Sequence, residues 1–211
     1  MIETGICLIG YGESGRRESI LCVQSIQKHC DYPITLFTDT KIDDLDIEQV
    51  ISVDSDDEIV DWNKLARQKK LVLINESPYR HTIYMDVDCR VQDSIEPLLE
   101  PLLDGYDMVI APSTVQGARW GQHSTKQDRN ETANLLIHTP IQYQCGVFSF
   151  RKTPKMKGLF AQWRKEYGKY SDVDQLAFMR ALWQKPVKLH VVSNVFNGGV
   201  VIKHLFGALK R

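Results

Sequence analysis

Short apolar or alternating runs and stretches of helical periodicity follow one another along this chain. Since buried strands carry consecutive or alternating apolar residues, the runs predict strands over residues 5–10, 33–39, 48–54, 81–88, 106–112, 142–150 and 187–192. The periodic stretches predict helices over residues 16–30, 56–77, 155–170 and 172–183. Strands that alternate with helices favour an α/β fold, in which helices flank a mostly parallel central sheet.

The polar stretch from Gln116 to Thr139 shows neither the alternation of a strand nor the periodicity of a helix, so it predicts a long loop. Loops of this length in compact domains are often functional lids. Trp120 is the aromatic residue of this stretch that we expect to contact a sugar acceptor.

Composition adds limits to this prediction. The 211 residues suffice for one sizeable core, so we expect a single domain over residues 1–211. The formal net charge of −1 gives no basic surface for nucleic acid, and no apolar run is long enough for a membrane helix. Five scattered cysteines and the absence of a secretory leader favour a cytoplasmic protein without disulfides. The oligomeric state is left open.

Gly10, Gly12 and Gly15 spell G-x-G-x-x-G between the first predicted strand and helix. With Asp39 at the end of the second strand, this order is typical of a dinucleotide-binding site. A phosphate loop is a weaker interpretation, because Arg16 follows Gly15 where Lys is required. A glycine-rich turn without any cofactor is equally compatible with these residues alone.

Asp86 and Asp88 stand one residue apart at the end of a predicted strand. Residues two apart on a strand face the same side, so both carboxylates can bind one hard cation, Mn²⁺ or Mg²⁺. Two solvated acids in a turn are the alternative, but the apolar residues 83–85 place the pair at the end of a buried strand. The acidic residues 54–57 compete as a metal site and are interpreted as a solvated surface before a helix.

The segment "SPYRHTIYMDVDCRV" resembles the D-x-D segment of GT-A-fold glycosyltransferases, in which the acid pair holds the metal that bridges the donor's diphosphate. Upstream, "ARQKK" has Arg67 and Lys70 where these enzymes carry basic residues near the donor sugar and phosphates. Downstream, "QYQCGVFSFRK" is similar to their small-residue strand and "DVDQLAF" to their D-Q segment.

Near the end of the chain, "KHLFGALKR" matches H-x-x-G-x-x-K through His204, Gly207 and Lys210. This pattern resembles retaining, family-8-type enzymes related to glycogenin and to bacterial galactosyl- and glucosyltransferases. Gln144 and Cys145 depart from the family, which usually has Asn and Ser or Thr before the glycine.

The resemblance implies a set of site residues. The metal ligands would be Asp86, Asp88 and His204, with Mn²⁺ favoured over Mg²⁺ by the imidazole. The donor would contact Arg67, Lys70, Gly207 and Lys210, with its base near Tyr11 and Asp39. Asp174, Gln175 and Gln144 are the polar groups expected beside the reacting sugar, and no general base is assigned.

Together these features predict a metal-dependent glycosyltransferase that uses a nucleotide sugar, most simply a UDP-sugar, with retention. The acceptor is a saccharide, a lipid or a protein. Three alternatives stay open: a nucleotidyltransferase of related fold, a dinucleotide-dependent oxidoreductase, and a module that binds nucleotide sugars without catalysis.

Overall fold

Seven strands form one sheet in the computed structural model, which describes residues 2–52, 62–137 and 141–206. Two further short strands pair with each other beside it. In chain order the strands are β1 (Ile2–Gly10), β2 (Ile34–Thr38), β3 (Glu48–Ile51), β4 (Tyr79–Asp86), β5 (Cys89–Val91), β6 (Met108–Pro112), β7 (Tyr143–Arg151), β8 (Leu189–Val191) and β9 (Ile202–His204).

The sheet has the order β3-β2-β1-β4-β7-β6-β8. All of its strands run parallel except β7, which pairs antiparallel with both β4 and β6. The predicted α/β class with a mostly parallel sheet is therefore confirmed for the described residues.

Helices cover both faces of the sheet. They are α1 (Gly12–Gln27), α2 (Trp62–Leu73), α3 (Glu100–Leu103), α4 (Lys126–Leu136), α5 (Pro154–Glu166) and α6 (Asp174–Gln184). Alternate residues of β1 face opposite sides, so that Leu8 packs with Ile26 of α1 while Ile9 packs in the cluster that contains Trp163 of α5. Over the described part of the chain, no helix combines the length and apolar character needed to cross a bilayer.

The predicted loop over residues 116–139 is wrong in its second half, which contains α4. The side chain of Thr125 caps this helix by accepting a hydrogen bond from the backbone N–H of Asp128. The buried positions of α4 are Asp128, Thr132 and Leu136, so most of the inward face is polar. The sequence has no apolar period over α4 because the buried polar side chains of this face are paired with a charged group and hydrogen-bonded.

Arg180 of α6 provides that charge. Its guanidinium donates to Asp128 Oδ1 at 2.5 Å and to Glu166 Oε2 of α5 at 2.9 Å. All three side chains are at most 3% exposed, so this is a buried ion triad that joins three helices. Buried ions are tolerated only when they are paired and hydrogen-bonded, as they are here.

The pair β5–β9 was not predicted, because three-residue strands carry too little pattern. Its register places Cys89 opposite His204 and Val91 opposite Ile202. The pairing therefore brings the C-terminal part of the described chain beside the segment that follows β4.

The ion triad yields a stability prediction. Arg180→Met leaves Asp128 buried without its cation and Glu166 with only Lys169 as a counter-charge, and we expect a loss of about 3–5 kcal/mol in the free energy of unfolding. Arg164→Met, on the exposed side of α5, is the matched control and should change stability by less than about 0.5 kcal/mol. Urea unfolding at neutral pH measures both, and equal stability of the two variants would contradict the role of the triad.

Candidate functional site

A cavity of about 850 Å³ opens where β1 and β4 end. Ligands of open α/β sheets bind at this edge, beyond the carboxyl ends of the strands. Residues predicted from the sequence that line the cavity are Tyr11, Arg67, Lys70, Asp86, Asp88, Gln144, Asp174, Gln175 and His204. Gly207 and Lys210 lie outside the described residues.

The glycine turn forms one wall of this cavity. A side chain at Gly10 would overlap Ser19, and a Cβ at Gly15 would lie 3.1 Å from the carbonyl carbon of Gly10. Gly12 has φ of +69°, a conformation that favours glycine. These glycines therefore bring the start of α1 against the end of β1, with backbone facing the cavity.

Asp39 and Tyr11 are engaged with protein groups. Asp39 accepts a hydrogen bond from the backbone N–H of Gly12 at 3.1 Å and forms an ion pair with Arg16. It is not among the cavity-lining residues found in the described chain. The buried ring of Tyr11 lines the cavity, and its hydroxyl hydrogen-bonds Ser52.

The imidazole of His204 lies against both acids of the D-x-D pair. Its Nε2 is 3.1 Å from Asp88 Oδ1 and 3.9 Å from Asp86 Oδ2. The β5–β9 pairing accounts for this meeting, since it places the backbone of His204 opposite Cys89. Two carboxylates and one imidazole therefore converge at the cavity wall.

This donor set fits a divalent cation of the Mn²⁺ type, which takes carboxylate oxygens and accepts an imidazole nitrogen. Ligand atoms of Asp88, Cys89 and His204 also lie within 4.8 Å of one another. Burial raises the pKa of the Cys89 thiol well above its usual value, and hard cations of the Mn²⁺ and Mg²⁺ type prefer carboxylate oxygen to sulfur. Asp86 is thus the better third ligand for a hard cation.

Asn197 orients His204, and the sequence analysis missed it. The Nδ1–H of His204 donates to Asn197 Oδ1 at 2.7 Å, which turns Nε2 toward the two acids. The Asn197 amide nitrogen donates in turn to the backbone oxygen of Gln144 at 3.2 Å. A hydrogen bond of this kind fixes the ring of a metal-binding histidine. An asparagine seven residues before His204 carries no sequence signal of this role.

Gly146 is required by the same arrangement. A Cβ at this position would lie 2.8 Å from His204 Nδ1 and 3.0 Å from Asp86 Oδ2. Phe206 covers the other face of the imidazole, with ring centroids 4.1 Å apart. The histidine ring is therefore held between β7 and an aromatic side chain.

Lys70 lines the cavity and lies between two carboxylates. Its ammonium donates to Asp174 Oδ2 and to the backbone oxygen of Cys145, both at 2.8 Å, and lies 3.6 Å from Asp86 Oδ1. Burial alone would lower the pKa of Lys70, but the charges of Asp174 and Asp86 raise it. Burial would likewise raise the pKa of Asp174, yet Lys70 lowers it below the usual value. Both groups therefore stay charged.

Tyr84 completes the surroundings of Asp86. Its hydroxyl donates to Asp86 Oδ1 at 2.5 Å, from a position two residues back on the same face of β4. Burial raises the pKa of Asp86, while Lys70 and His204 oppose this rise. One oxygen of Asp86 is thus held by the protein and the other faces His204.

The remaining predicted residues are divided between cavity and core. Arg67 lines the cavity and donates to the backbone oxygen of Asp172 at 3.2 Å. Gln175 lines it as well and donates to Gln144 Oε1. Trp120 is instead buried in a small cluster with Leu136, Leu176 and Met179, so the expected acceptor contact is wrong.

Comparison with known proteins shows a likeness of fold. No family model and no curated protein matches the chain. Among solved structures it is similar to WbbM, a bifunctional glycosyltransferase solved in its apo form, with a TM-score of 0.62 and 13% identity. The match covers 90% of this chain and 39% of the WbbM chain, so the chain spans about two fifths of that protein. The likeness shows the fold, which is GT-A-like as predicted.

The charge balance at Lys70 gives a prediction. Asp174→Asn leaves the buried ammonium with only Asp86 as a counter-charge, and we expect a loss of about 3 kcal/mol in unfolding free energy at neutral pH. Because the pKa of Asp174 is lower in the folded than in the unfolded protein, its stabilisation is complete above about pH 4 and is lost as the pH falls through the folded value.

Urea unfolding of wild type and Asp174→Asn between acidic and neutral pH tests this. The two curves should converge at acidic pH. Asp172→Asn, two residues away and half-exposed, is the control and should stay within about 0.5–1 kcal/mol of wild type. A constant difference at every pH would contradict the proposed ion pair.

Proposed function

We propose that this chain is a metal-dependent glycosyltransferase that transfers a sugar from a UDP-sugar to a saccharide, lipid or protein acceptor with retention. One observation carries the proposal: Asp86, Asp88 and His204 converge beside a large cavity at the strand ends of a GT-A-like fold. Retention rests on the resemblance of the His204 motif to family-8-type enzymes.

Each part of the cavity has a task in this reaction. Asp86, Asp88 and His204 would hold a divalent cation, which when bound stabilises the negative charge of the departing diphosphate. Arg67 adds positive charge at the cavity wall, and Lys70 holds Asp86 in place and opposes the rise in its pKa that burial causes. The glycine turn brings backbone close to the nucleotide.

The polar groups near the sugar are Asp174, Gln175 and Gln144. The carboxylate of Asp174 is paired with Lys70, so it would orient the sugar instead of accepting its proton. The same engagement favours a second candidate, a module that binds nucleotide sugars without transfer. Binding of a UDP-sugar without any hydrolysis or transfer would support that second candidate.

A thermal-shift screen tests the proposal. UDP and UDP-glucose, each with and without Mn²⁺, are added to wild type at about 100 times their dissociation constants. A ligand that binds only the folded state adds about 2.7 kcal/mol at that excess, which raises the melting temperature by about 5–11 °C, since 1 kcal/mol corresponds to about 2–4 °C for a chain of this size. We expect this rise only when Mn²⁺ is present.

Asp88→Ala should abolish the rise because it removes one metal ligand. Asp44→Ala, an exposed acid outside the cavity lining, should retain it. Stabilisation by NAD without metal, unchanged in Asp88→Ala, would contradict the proposal and favour an oxidoreductase.

The support of His204 by Asn197 gives a separate prediction. Asn197→Leu removes the acceptor for Nδ1–H, so the imidazole loses its fixed orientation, and Mn²⁺ affinity should fall about 10–100-fold. Asn194→Leu, exposed on the neighbouring turn, should leave the affinity unchanged. Calorimetric titration with Mn²⁺ measures both, and equal affinities would rule out this role of Asn197.

A further inference from the structure

Three glutamine side chains form a continuous hydrogen-bonded relay beside the cavity, and a fourth, that of Gln116, holds the backbone where the relay begins. Gln116 exchanges two hydrogen bonds with the backbone of Gln142, at 2.7 and 3.0 Å. The amide nitrogen of Gln142 donates to Gln175 Oε1, and the amide nitrogen of Gln175 donates to Gln144 Oε1. Gln142 is 1% and Gln144 7% exposed, so these amides have little access to water and depend on one another.

A backbone group fixes the direction of this relay. The N–H of Gly121 donates to Gln142 Oε1 at 2.8 Å, and a backbone N–H can only donate. The NH₂ group of Gln142 must therefore face Gln175, and the NH₂ group of Gln175 must face Gln144. Each amide in the series is oriented by the one before it.

The relay ends at the cavity with the NH₂ group of Gln144. Its oxygen is occupied by Gln175, and its nitrogen has no protein acceptor within the described residues. Gln144 is anchored on its other side, because its backbone oxygen accepts from Asn197. A ligand at this wall thus meets an oriented hydrogen-bond donor.

We propose that Gln142 is a positioning residue that acts through Gln175 to make Gln144 a hydrogen-bond donor to an oxygen of the bound sugar. The inference rests on the proposed function and deepens it, since it assigns the sugar, not the nucleotide, to this wall. Gln142 touches no ligand itself, because it does not line the cavity.

The structure also links this donor to the segment before α4. Gly121 has φ of +65°, and a Cβ there would lie 2.7 Å from Arg129 Cγ, so the turn that aims its N–H is specific to glycine. The turn at Gly121, which Gln116 and Gln142 hold in place, therefore determines that the Gln144 amide presents its NH₂ group to the sugar.

A double-mutant cycle tests the relay. Dissociation constants for UDP and for UDP-glucose, both with Mn²⁺, are measured by calorimetry for wild type, Gln142→Met, Gln144→Met and the double variant. Each single variant should bind UDP-glucose about tenfold more weakly, the factor for one lost hydrogen bond, while UDP stays within about twofold. The double variant should be no weaker than Gln144→Met alone, because Gln142 acts only through Gln144.

Gln127→Met, exposed on α4, is the matched control and should bind both ligands as wild type does. If Gln142→Met does not fold, Gln142→Glu replaces it: its carboxylate still accepts from Gly121 but cannot donate to Gln175, so the same loss is expected.

Additive losses in the double variant, or equal weakening of UDP and UDP-glucose, would overturn the relay. Wild type that binds neither ligand would overturn the proposed function as well, whereas normal binding by all variants would overturn the relay alone.

Discussion

The buried ammonium of Lys70 is the interaction on which the rest of the site depends. Parallel strands and the helices that follow them bring carboxylates to one edge of the sheet, and desolvation makes unpaired acids there costly. Lys70 of α2 offsets this cost for Asp86 of β4 and Asp174 of α6 together. One positive charge thus joins three elements at the floor of the cavity and keeps Asp174 ionised.

The polar groups above that charge have few alternative orientations. Tyr84 and Lys70 occupy one oxygen of Asp86, which turns the other toward His204, and Asn197 occupies the far nitrogen of the imidazole. Asp86 and His204 are therefore each held in one orientation by neighbouring protein groups. Such preorganisation reduces the rearrangement needed when substrate binds.

The sequence predicted the seven strands of the central sheet, helices α1, α2, α5 and α6, and the acid pair. A buried strand that ends in carboxylates is a strong local pattern. The sequence did not predict α4, whose inward face is polar and depends on Arg180, distant in sequence. Asn197 and Gln142 were missed for a related reason. Their roles arise from single hydrogen bonds across the fold, and an isolated amide side chain has no periodicity.

The short β5–β9 pair has a consequence for how the site is assembled. This pair places His204 beside the acid pair. It joins residues 89 and 204, which are far apart in sequence. Contacts of such long range carry a larger entropic cost of loop closure than contacts between neighbouring elements. An intermediate in which the central sheet has formed, but this short pair has not, would therefore have its core in place and still lack the histidine.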